Sequence, residues 1–101
     1  MRYTLEELCT KKENQVFDRK SARKDAKGLS NHIVAFANAD GGTLVIGVED
    51  NGEITGIDAY TNNINDILRV PFDYCNPSVR VTTETVECKD KDGNLNHLLI
   101  M

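Results

Sequence analysis

Four charged residues carry the chemistry this sequence could perform. Glu13 is followed five positions later by Asp18, and Asp18 two positions later by Lys20. An acid and an acid-x-Lys triplet are the pattern of a metal-dependent nuclease. Two or three carboxylates hold Mg²⁺ or Mn²⁺, and a lysine orients water or steadies charge on the phosphate. Asp50 could supply a third carboxylate if the segment before it neighbours Val16 to Lys20. Acid-x-Lys is a short pattern, and the same residues also read as a salt-bridged strand end with Asp50 serving only a turn.

A basic stretch is the second candidate. Residues 11–27 hold seven Lys and Arg against three acids, a local +4 on a chain whose formal net charge is −4. The total argues against binding nucleic acid by overall basicity. Arg19, Lys20, Arg23, Lys24 and Lys27 nevertheless span a strand end, a loop and a helix start, where they could touch consecutive phosphates. The plainer reading is a solvated strand edge and helix start. No aromatic ladder for stacking bases is evident, so shape and phosphates would dominate. Such binding requires no cofactor.

Other chemistries find little support. Cys9, Cys75 and Cys88 are odd in number and widely spaced, which disfavours a disulfide framework or a cysteine zinc site and fits small buried or half-buried thiols. His32 and His97 have no ligand-spaced partner. Gly41-Gly42 and Gly47 make neither phosphate-loop pattern. Their turn also runs from helix to strand, whereas phosphate cradles run from strand to helix.

The elements that must position these residues follow from periodicity. Thr4 and Glu7 form a capping box that opens a short helix to about Lys12. Val16 to Lys20 reads as extended, with Val16, Asp18 and Lys20 on one side and Phe17 and Arg19 on the other. From Asp25, Ala26, Leu29, Ile33, Phe36 and Ala37 recur at helical spacing. Asn38 and Asp40-Gly41-Gly42 end that helix, and Thr43 to Glu49 runs as a strand whose continuous apolar character suits burial on both faces. Gly47 allows another backbone to approach closely. Asp50-Asn51-Gly52-Glu53 makes a tight hairpin into Ile54 to Ile57. Thr61 caps a third helix with Ile64, Ile67 and Leu68 buried, and Pro71 ends it. Asn76-Pro77 opens an extended stretch in which Val79, Val81, Thr83 and Thr85 alternate with Arg80, Thr82 and Glu84. Asp92-Gly93-Asn94 then turns the chain into an apolar strand, Leu95 to Met101.

Four segments in order, Glu13 to Lys20 (ENQVFDRK), Ala35 to Gly42 (AFANADGG), Ile46 to Asp50 (IGVED) and Ile54 to Ile57 (ITGI), resemble the Schlafen AlbA-like (AlbA_2, formerly divergent AAA) domain. The resemblance covers residues 13 to 60 most strongly. Arg19 departs from it, standing where the family more often has an aromatic residue. The resemblance implies a DNA-binding module of bacteria and archaea that often begins transcriptional regulators or ATP-binding-protein-like chains. Some vertebrate Schlafen proteins are similar and cleave RNA with three carboxylates, whose matching positions here are Glu13, Asp18 and Asp50. The family domain usually continues past Met101, which implies truncation from a longer multidomain protein.

The expectation is a single α+β domain spanning residues 1–101, a mixed sheet with two or three helices packed mainly on one face. Its expected role is binding DNA or RNA as a regulatory module. The alternatives are a Mg- or Mn-dependent nuclease, or a protein-interaction module that forms a homodimer through a strand edge left at Met101. The longest apolar run is too short to span a bilayer and no charged-then-apolar signal precedes the first helix, so a cytoplasmic location without membrane contact is expected.

Overall fold

The computed structural model describes residues 3–14, 16–38, 41–73, 75 and 80–101. Four strands form one mixed sheet in the order β1-β2-β4-β3, with β1 at Phe17–Lys20, β2 at Thr43–Ile46, β3 at Glu84–Lys89 and β4 at Leu95–Ile100. β1 and β2 are parallel and joined by a helix, α2 (Ala26–Asn38); β4 runs antiparallel to both β2 and β3. A parallel pair needs such a crossover, because no tight turn can return the chain to the same end of the sheet.

The register decides what each face receives. Phe17 pairs with Thr43 and Arg19 with Val45, so Phe17, Arg19 and Val45 share one face. Leu8, Phe17, Val45, Val48, Leu98 and Ile100 make the core there, roofed by α1 (Leu5–Thr10). Leu44, Ile46, Leu99 and Met101 face the other way and pack against Ala26, Leu29 and Ile33 of α2 and against Ile64 and Ile67 of α3 (Thr61–Leu68). Val70, from the one-turn α4 (Val70–Asp73), joins that cluster. The expected α+β domain with helices mainly on one face is what forms, and α1 is the helix on the other.

Local chemistry explains the boundaries. Thr4 and Glu7 satisfy each other's backbone amides, at 3.1 Å and 3.0 Å, which starts α1. Asp25 caps α2, its carboxylate accepting the Gly28 N–H at 2.8 Å. Beyond Asn38, the Gly41 N–H returns to the Phe36 carbonyl at 2.7 Å. β2 stops at Ile46, earlier than its apolar run suggests, because Gly47 takes φ +113° and turns its carbonyl toward the Thr55 and Gly56 amides at 3.0 and 2.9 Å. The hairpin then closes with Glu49 N–H on the Glu53 carbonyl and Val48 bridging Ile54.

Several expectations shift. α1 ends at Thr10, with Lys11 as its C-cap. Thr61 does not cap α3, since a single 3-10 turn at Asp58–Tyr60 feeds directly into it and its preceding residue is Tyr60. Pro71 lies inside the one-turn α4, where a missing N–H costs little, and α3 has already ended at Leu68. The strand expected from the alternation before Glu84 begins only at Glu84. Gln15, Asp40, Asn76, Pro77 and Val79, which entered the sequence reading, lie outside the described residues.

The strand edge expected at Met101 is also corrected. Met101 exchanges both backbone hydrogen bonds with Leu44, at 3.0 and 2.8 Å, and β4 sits between β2 and β3. Alternation reports a strand's two faces, not its neighbours. The sheet edges are β1 and β3 instead. Gly47→Ala tests the β2 exit, where a Cβ would lie 2.9 Å from the Leu98 side chain. The positive φ and that contact together predict a loss on the order of 2 kcal/mol, read as a lower chemical-denaturation midpoint.

Candidate nucleic-acid interface

β1 sits at a sheet edge, so every second backbone group points away from β2. Phe17 satisfies its outward carbonyl by accepting the Asn14 N–H at 2.9 Å. The outward Arg19 N–H donates to two carboxylate oxygens at once, Asp18 Oδ1 at 2.8 Å and Glu13 Oε2 at 3.0 Å. The two acids of the sequence pattern therefore do meet, at the amide that would otherwise be free to pair another strand. Carboxylates placed there also repel a second edge. The other Asp18 oxygen lies 3.5 Å from Lys20 Nζ and 3.4 Å from His32 Nδ1 on α2.

Asp50 lies at the exposed turn of the β2 hairpin and lines a cleft together with Lys20. Among the described residues no three His, Cys, Asp or Glu side chains are arranged to hold a metal ion. Both Asp18 oxygens already face donors or cations. The arrangement does not fit a divalent ion held by Glu13, Asp18 and Asp50 together.

Arg19 is placed differently from the rest of the basic stretch. Its neighbours Asp18 and Lys20 are half-buried on the α2 side, while Arg19 is only 6% exposed on the α1 side. Its Nε donates to the Leu8 carbonyl at 3.0 Å and its Nη2 to the Lys11 carbonyl, satisfying the open end of α1. The guanidinium also lies 5.1 Å from the Phe17 ring centroid. Arg19 as a phosphate contact is thus corrected: its guanidinium is buried and bonded inside the protein. An arginine suits this slot because it offers a flat face to Phe17 and a fork to two carbonyls.

Lys20, Arg23, Lys24 and Lys27 stay on or near the surface, at the carboxyl end of β1 and the opening of α2. The loop carrying them is well tied. Ser21 Oγ accepts the Arg23 N–H at 3.2 Å, and Asn63 of α3 donates to the Ala22 and Lys24 carbonyls at 2.7 and 2.9 Å. Buried Ala22 anchors its middle in the core. Opposite the loop stands the β2 hairpin, and between them lies an open cleft of about 310 Å³ lined by Lys20, Ser21, Arg23, Lys24, Glu49 and Asp50. Open α/β sheets place ligands outside the carboxyl ends of parallel strands, and this cleft lies at that end of β1 and β2.

Glu49 is the residue sequence reasoning missed. Its Oε1 accepts from Arg23 Nη2 at 2.6 Å and its Oε2 from Thr55 Oγ1 at 2.7 Å. Burial pushes its carboxyl pKa up, but hydrogen bonds from Thr55, Ser21 and Arg23 outweigh that and hold it below the ordinary value of 4.5. Tyr60 and Glu49 in turn raise the Arg23 pKa. Nothing in the sequence signals this link, since it joins residues 26 positions apart. His32 was also passed over, and only the fold brings it to Asp18.

A lowered folded pKa on Glu49 contributes stability above the unfolded value, and that contribution disappears as pH falls through the folded one. Thr55→Val is expected to destabilise at pH 7, with the difference from the unsubstituted protein shrinking below pH 4.5 in thermal melts. A difference that stays constant with pH contradicts this.

Comparison with known families places the geometry in context. The family model described as Schlafen, AlbA_2 matches residues 13–101, which takes in β1, the basic loop, the hairpin and all four strands. No curated protein and no solved structure matches the chain. Schlafen, AlbA_2 domains are associated broadly with nucleic acid. The match covers most of the sequence, and the chain belongs to the Schlafen AlbA_2 family.

Proposed function

We propose that this domain is a nucleic-acid-binding regulatory module that grips the phosphate backbone with the β1–α2 loop and the first turn of α2. One observation carries the reading. A tied-down loop gathers Lys20, Arg23, Lys24 and Lys27 at one end of an otherwise acidic domain. Among the described residues neither Lys24 nor Lys27 has an ion-pair partner, so both are available to phosphate. Contacts of this kind position a protein on nucleic acid without reading its sequence. DNA and RNA both offer the required backbone, and attachment to further domains of a bacterial regulator is part of the same proposal.

Binding to labelled duplex DNA and to single-stranded RNA is expected to weaken steeply with salt, since each neutralised phosphate releases counterions. Lys24→Glu with Lys27→Glu is expected to lower affinity at least tenfold at low salt and to flatten the salt dependence. Absence of binding to both nucleic acids, or binding indifferent to salt, overturns the reading.

A second reading, a Mg- or Mn-dependent nuclease, draws on the convergence of Glu13 and Asp18 at one amide beside Lys20. Among the described residues no third acid, His or Cys joins that pair in an arrangement that could hold a metal ion, and our proposal is binding without cleavage. The check is incubation of both nucleic acids with Mn²⁺ or Mg²⁺. Intact substrate is expected, and cleavage that disappears in Asp18→Asn establishes the nuclease instead.

A further inference from the structure

Arg23 and Glu49 face each other across the cleft that the proposed binding surface borders, and their environments differ sharply. The Glu49 side chain is 21% exposed and the Arg23 side chain 58% exposed. Glu49 is anchored twice from its own side of the cleft. Its backbone closes the β2 hairpin on Glu53, and its Oε2 accepts from Thr55 independently of Arg23. Arg23 reaches over from the loop on a long side chain.

The ion pair is therefore asymmetric: Glu49 has a second donor in Thr55 and is mostly buried, while the Arg23 side chain is more than half exposed. An ion pair with one partner largely exposed contributes little net stability, so an incoming anion competes for Arg23 on favourable terms. Arginine also binds phosphate through two parallel donors, which a carboxylate already shared with Thr55 does not match. The lining itself is three cations and a hydroxyl against two carboxylates, and only Glu49 is bonded to the loop. The Glu49 carboxylate oxygen facing Arg23 nevertheless offers that donor what a phosphate oxygen would, a negatively charged acceptor at 2.6 Å.

Resting on the nucleic-acid reading, we propose that Glu49 is a resident substitute for a phosphate, occupying Arg23 in the free protein and giving it up when a backbone phosphate enters the cleft. The cleft between the β1–α2 loop and the β2 hairpin is then a phosphate subsite with its own built-in competitor. Glu49 sets the threshold that a ligand must exceed, which weakens binding to sparse or isolated anions more than to a polyanion.

The test is affinity for a labelled oligonucleotide at fixed low salt, in a double-mutant cycle with a charge-matched control. Glu49→Gln keeps an acceptor for Thr55 and is expected to tighten binding about three- to tenfold. Asp50→Asn removes the same charge from the same cleft lining without freeing Arg23, and is expected to tighten binding by a smaller factor than Glu49→Gln. In the Arg23→Ala background the gain from Glu49→Gln is expected to vanish. Thermal melts of each variant establish that all remain folded, and Arg23→Ala leaves the hairpin contacts of Glu49 intact should Glu49→Gln prove unstable. Equal gains from Glu49→Gln and Asp50→Asn, or a gain that persists without Arg23, overturn the proposal and leave only general electrostatics. Unsubstituted protein that binds with Glu49→Gln unchanged overturns the proposal alone. Failure of every variant to bind overturns the nucleic-acid reading together with it.

Discussion

The parallel pairing of β1 with β2 is the constraint on which everything else rests. Its register sends Phe17 and Arg19 to the α1 side and Asp18 and Lys20 to the α2 side. A slip of one residue exchanges those sets, burying a lysine and an aspartate under α1 and taking Phe17 out of its core there. Such a slip is costly, because full burial of a residue like Phe17 is worth several kcal/mol on the scale of truncations at about 3–5 kcal/mol. Arg19 secures the register a second time by reaching the carbonyls that α1 leaves open. Gly47 then takes over where β1 ends, donating its N–H to the Lys20 carbonyl at 2.8 Å, and brings the hairpin opposite the basic loop.

From that pairing comes a division of labour among charges that sit close together in the chain. Glu13 and Asp18 guard an open edge amide, Arg19 completes a helix end, and Lys20 balances Asp18. Arg23, Lys24 and Lys27 are left to face outward. Because Asn63, Ala22 and Asp25 fix the loop, little ordering entropy remains to be lost on binding. The local excess of positive charge is thus presented by a rigid element, which a flexible tail of equal charge does not achieve.

Much of this architecture was legible in the sequence where local rules govern. The capping box at Thr4, the amphipathic α2 and the glycine turns follow from spacing and backbone sterics, and the four-segment resemblance placed the family. The convergence of Glu13 with Asp18 was also foreshadowed by the pattern. What the sequence concealed was long-range. Arg19 looked like one more surface cation because the partners of its guanidinium are carbonyls of α1, and a carbonyl has no residue type to notice. Met101 looked like an edge because pairing order is not written in alternation. Glu49 looked like a strand exit, since Arg23 and Thr55 reach it only after the crossover and the hairpin have formed.

The central claim is that nucleic acid meets this domain at the carboxyl ends of β1 and β2. Amide chemical-shift mapping during titration with a short oligonucleotide tests it most directly. Shifts are expected to concentrate at Lys20 to Gly28 and at Glu49 and Asp50, with β3 and α4 unmoved. Shifts concentrated on β3 or α4, with the basic loop silent, contradict that placement.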